Sequence, residues 1–236
     1  MQDIPIAIIT PTTGKKSLDR LITSLNGQSI PWVHVLLWDD KREGEYLYPD
    51  PSSYKNKSPK DLNSKSSHGL RYSIEIPGSM VQGGAAGSSL RAIGLMAVNT
   101  PYVTFADDDV WYEPNHLENL LQAVQGKNWA YCRRKIWANE NECIGIDNFE
   151  SVGDSPTRKV PYEMVDNNTM IFARRYGTSG AVLYRETQEY NDDRLMYAFL
   201  KQHAGEPGII KEATVNQICP RKLEQMFREH CDHDNN

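Results

Sequence analysis

Tyr102-Val-Thr-Phe-Ala-Asp107-Asp108-Asp109-Val-Trp-Tyr-Glu-Pro114 sets a short apolar run directly against three consecutive acids. An apolar run of this length, rich in aromatic and β-branched residues and stopped by polar ones, predicts a buried strand over Tyr102 to Ala106. Three carboxylates at its end repel one another and cost stability unless donors or a cation compensate them. Working outward, Leu90, Ile93, Gly94 and Ala97 recur at helical spacing before the strand, and Leu117, Leu120, Leu121 and Val124 after it. Nearer the start, Ile6 to Thr10 predicts a strand ended by Pro11. Leu18, Leu21, Ile22 and Leu25 predict a helix with Ser17 as its N-cap, and Val33 to Trp38 predicts a second strand closed by Asp39 and Asp40. Strand, helix and strand within about 35 residues form a βαβ unit, which implies parallel pairing. A further strand is expected over Tyr72 to Ile76. The reading is therefore α/β, with a mostly parallel central sheet flanked by helices.

The second half is less regular. Trp129 to Trp137, Ala181 to Tyr184 and Ile209-Ile210 are expected as strands, and Asp192-Asp193 opens a helix through Leu195, Met196, Phe199 and Leu200. Residues 41–69, with Pro49, Pro51 and Pro59 among many Ser and Lys, predict an exposed excursion with a short helix at 59–63. The end, from Glu229, predicts a frayed polar tail.

The chain has 236 residues, with 26 basic against 31 acidic and a net charge of −5, which argues against a nucleic-acid partner. It leaves room for a diphosphate held through a metal, since the ion supplies the positive charge. The four cysteines form no C-x-x-C pair and are expected as reduced thiols. With no transmembrane segment or leader in the sequence, a cytoplasmic location is expected. Thr13-Gly-Lys-Lys-Ser17 fails the phosphate-loop pattern at Ile9 and Lys16, and Gln82 to Gly87 contains no dinucleotide fingerprint. Lys15 and Lys16 are read as solvated charges near the donor cleft. His230-Cys-Asp-His233 lacks zinc spacing, and Asn167-Asn-Thr169 matches a glycosylation acceptor without a secretion signal to give it meaning. Trp111, two residues past Asp109, is the tryptophan expected to stack on a sugar.

In parallel α/β sheets ligands bind beyond the carboxyl ends of the strands. Hard divalent cations take oxygen ligands and share them with phosphates. On an extended chain the D-x-D spacing points Asp107 and Asp109 the same way.

Four segments in order resemble the family 2 glycosyltransferases. They are Ile6-Ala-Ile-Ile-Thr10-Pro11-Thr12, then Val35-Leu-Leu-Trp-Asp39-Asp40, then Gly87-Ser-Ser-Leu-Arg91 through Pro101-Tyr-Val-Thr-Phe-Ala-Asp107-Asp-Asp109, then Asp192-Asp193 before a helix. The resemblance implies a single GT-A (Rossmann-like) domain over residues 1–225. Its nucleotide-binding half would be 1–110 and its acceptor half 111–225, with a polar tail at 226–236. It implies inverting transfer of a sugar from a nucleotide-diphosphate donor, by default a UDP-sugar, to a glycan or other acceptor hydroxyl, with Mn²⁺ or Mg²⁺. By the same resemblance Thr10, Pro11 and Thr12 line the base pocket and Asp39 or Asp40 accepts from the base. Arg91 lies near the nucleotide, with Gly84 and Gly87 as backbone positions beside it. Asp107 and Asp108 touch the ribose and sugar, Asp109 with Asp107 holds the metal, and Asp193 or Asp192 is the general base. The chain departs from the family at Ala92, where Asn is usual, at Lys41-Arg42, and in having Asp-Asp where Glu-Asp is usual. Two rival readings are a nucleotidyltransferase that makes nucleotide-sugars and a non-catalytic nucleotide-sugar binding module.

Overall fold

A computed structural model describes residues 4–39, 64–65, 68–76, 87–154, 163–184 and 191–232. The excursion expected within 41–69 lies mostly outside these residues, as does its helix at 59–63. The elements in chain order are β1 (Ile6–Thr12), α1 (Leu18–Asn26), β2 (Trp32–Asp39), β3 (Ser64–Lys65), β4 (Gly69–Ile76), α2 (Ser88–Ala97), β5 (Tyr102–Phe105), β6 (Val110–Tyr112), α3 (His116–Ala123), β7 (Trp129–Asn139), β8 (Glu142–Ile146), β9 (Met170–Ala173), α4 (Arg174–Gly180), α5 (Asp192–His203), β10 (Gly208–Ile218) and α6 (Glu224–His230).

One ten-stranded sheet runs β3-β4-β2-β1-β5-β9-β7-β10-β6, with β8 paired to β7. From β4 through β2 and β1 to β5 every pairing is parallel, as the βαβ reading predicts. The far half combines both directions, with β10 running parallel to β7. There β9 runs antiparallel to β5 and β7, and β6 antiparallel to β10, so the sheet is mixed. The chain first adds strands on one side of β1, then crosses to place β5 on the other. That reversal creates a crevice at the carboxyl ends of β1 and β5.

Period-two alternation along β1 divides the core between the two faces. Ile6 and Ile8 pack with Leu18, Leu21 and Leu25 of α1 and Leu117 and Leu120 of α3. Ala7 and Ile9 pack with Leu90 and Leu95 of α2 and Met196 and Leu200 of α5. A strand buried on both faces is apolar throughout, which is why β1 reads as an unbroken run.

Two further expectations are corrected. Ala181–Leu183 is a 3₁₀ turn, not a strand, and it delivers Tyr184 to the interior. Within the expected polar tail, residues up to His230 belong to α6, with Phe227 and Cys231 buried against Ile136 and Ile144 and Asp232 bridged to Ile146; residues 233–236 lie outside the described residues. Ser17 stands at the N-cap position of α1 as expected, although its hydroxyl makes no capping hydrogen bond. Cys132, Cys219 and Cys231 are buried free thiols. Among the described residues no helix is long and apolar enough to cross a membrane.

Gly87 enters α2 with φ +86°, and a Cβ there would lie 2.7 Å from Cβ of Pro11. Both the left-handed backbone and the clash oppose any larger residue. Gly87→Ala is expected to destabilise the fold by about 1–3 kcal/mol, read from the urea midpoint.

Candidate active site

The turn after β5 carries the acid trio. Val110 N–H closes it onto the Asp107 carbonyl at 3.3 Å, so the three residues are not extended and their side chains take different partners. Asp107 pairs closely with Arg91 through one carboxylate oxygen and accepts from Asn168 Nδ2 at 3.0 Å through the other. Burial would raise its pKa, but the Arg91 guanidinium and the Asn168 amide hold it below the usual carboxylate range. Asp108, 4% exposed, accepts from the Thr12 hydroxyl at 2.9 Å and from Lys15 Nζ at 2.9 Å. Burial opposes the Lys15 charge, yet the trio outweighs it and raises the lysine pKa.

Asp109 differs from its neighbours. Its Oδ1 is buried and makes no hydrogen bond, and its pKa is pushed up to about 7 by desolvation and by the charge of Asp107.

Arg91, at the first turn of α2, also reaches Asp192 Oδ2 at 3.3 Å, and Ser88 donates to the same oxygen at 2.8 Å. The start of α2 therefore clamps the N-terminus of α5 against the acid trio. Asp193, next along α5, accepts from its neighbour's N–H, Arg194 N, at 2.8 Å. Desolvation, with Asp166 and Asp192 nearby, raises its pKa to about 7.

A buried arginine supports the floor. Arg134 binds Asp147 through Nε at 2.8 Å and Glu150 through Nη2 at 2.9 Å, and pairs closely with Asp166. Asp166 accepts from Asn168 N at 2.8 Å and Asn168 Nδ2 at 2.7 Å, and Asn168 in turn holds Asp107. A continuous chain of hydrogen bonds thus runs from Arg134 to the trio. Removing the arginine leaves Asp147, with no exposed surface, as an uncompensated charge. Arg134→Met is expected to cost roughly 3 kcal/mol or more, measured by chemical denaturation.

Sequence reasoning identified Arg91, Asp107, Asp108, Asp109, Asp192 and Asp193, and the fold brings them together. Thr12 also reaches the site, while Pro11 packs under Gly87. Asp39 is buried at the end of β2, one strand from Thr12. Thr10 is a correction. It is fully buried, and its hydroxyl pairs with His34 Nε2 at 2.9 Å while His34 Nδ1 accepts from Arg71 Nε at 3.1 Å, so it lines no open pocket. Asp40 and Gly84 lie outside the described residues.

The sequence reading missed Ser88, Asn168, Asp166 and Arg134, and took Lys15 for a solvated charge. Asn167-Asn-Thr169, noted as a glycosylation match, is buried, with Asn167 accepting from the Tyr184 hydroxyl at 2.8 Å. No glycan can attach there.

The described site sets Lys15, Arg91 and Arg134 against Asp107, Asp108, Asp109, Asp166, Asp192 and Asp193, an excess of negative charge. Among the described residues no three His, Cys, Asp or Glu side chains form a metal cage. An orphaned, buried Asp109 oxygen fits a cation held by one protein carboxylate and completed by phosphate and water, a mode common for Mg²⁺. Asp107, engaged on both oxygens, fits a second ligand role poorly.

No family model matches the chain, and no curated protein matches it. Solved structures do. S. aureus TarS residues 1–349 superpose with a TM-score of 0.63 at 14% identity, covering 94% of this chain and 63% of that one. The same TarS fragment in complex with UDP-GlcNAc gives 0.63 at 13%, covering 92% and 59%. Its complex with UDP gives 0.61 at 13%, covering 95% and 63%. This chain thus spans less than two thirds of these structures. At such identity the likeness establishes a shared fold, the GT-A-like α/β domain.

Proposed function

We propose that the protein is a metal-dependent, inverting glycosyltransferase that moves a sugar from a UDP-sugar to an acceptor hydroxyl. The observation that carries this reading is the convergence, at the carboxyl ends of β1 and β5, of the acid trio with the N-terminus of α5. There Asp193 has a pKa raised to about 7. TarS, which shares the fold, has been crystallised with UDP and with UDP-GlcNAc, and this supports a uridine diphosphate donor.

The two acids on α5 divide the work. Asp192 is held by Arg91 and Ser88 on one oxygen, which fixes it as an anchor. Asp193 has a pKa near neutrality, where a carboxylate both accepts a proton readily and remains largely unprotonated above that pH. In the proposed reaction the acceptor oxygen attacks the anomeric carbon and passes its proton to Asp193. The bond from that carbon to the diphosphate oxygen breaks, and inversion follows from the single displacement. Negative charge grows on the leaving diphosphate as the bond breaks. A divalent ion held at Asp109 would supply Lewis-acid stabilisation of that charge. Thr12 and Lys15 orient Asp108, and Arg91 with Asn168 orients Asp107, so the donor meets a preset surface.

A thermal-shift panel of UDP, GDP, UDP-GlcNAc and UDP-glucose, each with and without Mn²⁺, tests the donor class. Ligands that bind the native state raise its melting temperature, and the rise grows with the logarithm of ligand concentration above Kd. Uridine nucleotides with Mn²⁺ are expected to raise it by several degrees, and the absence of a shift with every nucleotide would contradict the reading.

A further inference from the structure

We propose that the cleft between α1 and the Trp111–Trp137 pair binds a neutral oligosaccharide. It has a volume of about 720 Å³, which falls in the range of ligand pockets. Trp111 and Trp137 form its aromatic wall, with ring centroids 5.7 Å apart and planes inclined by 48°. Neither ring is free to turn. The Arg20 guanidinium lies 4.2 Å over Trp111, and Trp137 Nε1 donates to Asn216 Oδ1 at 3.0 Å. Asn216, 1% exposed, is itself fixed by donating to Glu113 Oε1 at 3.1 Å. Arg20 covers one face of Trp111, so in this cleft Trp137 takes the leading part in the sugar stacking expected of Trp111.

The chemistry selects the ligand. A pyranose presents an apolar face of C–H groups and a rim of hydroxyls that donate and accept. The ring pair suits the first, since aromatic faces carry negative charge that attracts C–H hydrogens. Planar carboxylate, amide and guanidinium groups around it suit the second. Glu113 pairs with Lys135 and Glu140 with Arg20, each at 3.7 Å, so the lining carries no basic excess that would favour a phosphorylated or sulphated chain. Fixed rings reduce the ordering cost that weakens sugar binding. The cleft also neighbours the candidate active site in sequence. Lys16 follows Lys15, which binds Asp108, and Trp111 lies two residues past Asp109. Binding there stands without the transferase reading, and a role as the platform for an extended acceptor glycan rests on it.

Intrinsic tryptophan fluorescence, titrated with cellotriose, maltotriose and chitotriose in the absence of nucleotide, tests the proposal. At least one is expected to change the emission saturably in the millimolar range. Trp137→Ala should weaken that binding about tenfold or more, and Trp137→Phe should restore most of it. The proposal is overturned if no trisaccharide binds at tens of millimolar, or if one binds Trp137→Ala as well as wild type. A separate assay of UDP release keeps the two readings apart. Release with no trisaccharide binding defeats the cleft alone, and trisaccharide binding with no release under any donor defeats the transferase alone.

Discussion

Asp193→Asn is expected to reduce sugar transfer by about 10²–10⁴-fold while leaving donor affinity within a few-fold of wild type. The amide keeps the size of the carboxylate and cannot take the acceptor proton. Its neighbour Asp192 is held by Arg91 and Ser88 and does not replace it. The pH profile carries a second signature. The base works when deprotonated, so kcat/KM should rise with pH through a limb near 7 and fall about tenfold per unit below it. After desolvation, Asp166 is the largest cause of the raised pKa, so Asp166→Asn should move that limb to lower pH. Loss of donor binding in Asp193→Asn, measured by calorimetry, would remove Asp193 from the role of base.

Asp109→Asn is expected to act on stability and turnover in opposite directions. In the metal-free protein the Asp109 pKa lies near 7, above its unfolded value near 4. The folded state therefore binds the proton more tightly across that window, and stability falls as pH rises from about 4 to about 7. At pH 8 the ionised carboxylate opposes folding, and its replacement should stabilise the metal-free protein by on the order of 2 kcal/mol after allowance for solvent screening. Turnover should fall about a thousandfold, the several kcal/mol that a lost metal site removes from the transition state. Thermal melts at pH 5 and pH 8, with and without Mn²⁺, read both parts. A variant less stable than wild type at pH 8 would mean that Asp109 is a structural acceptor.

Much of the site was legible because strand ends announce themselves. Ile6 to Thr10 and Val103 to Ala106 are buried on both faces, so each reads as an apolar run, and the polar residues that stop each run lie where the parallel strands end. Arg91, Asp192 and Asp193 lie on helices, in a pattern that resembles a known family. The remainder depended on contacts without a sequence period. Asn168 meets Asp107 across 61 residues, and Arg134 meets Asp166 across 32, with no spacing rule to link them. The strand β9 has four residues, too few to show alternation, and its antiparallel pairing with β5 gives the sheet its mixed character. The hairpin of β7 and β8 turns on Asn139, whose side chain accepts from Asn141 N at 3.0 Å, a local bond that polar composition alone does not reveal. Thr10 was misjudged because strand position fixes which face a side chain takes, while its pairing with His34 depends on the neighbouring strand.

Calorimetric titration of UDP-GlcNAc into wild-type protein and Asp109→Asn, each with and without Mn²⁺, tests most directly whether the acid turn binds a diphosphate through a cation. Wild type should bind the donor at least tenfold more tightly with the metal than without it, and Asp109→Asn should lose that difference. Equal affinity in all four titrations would contradict the account.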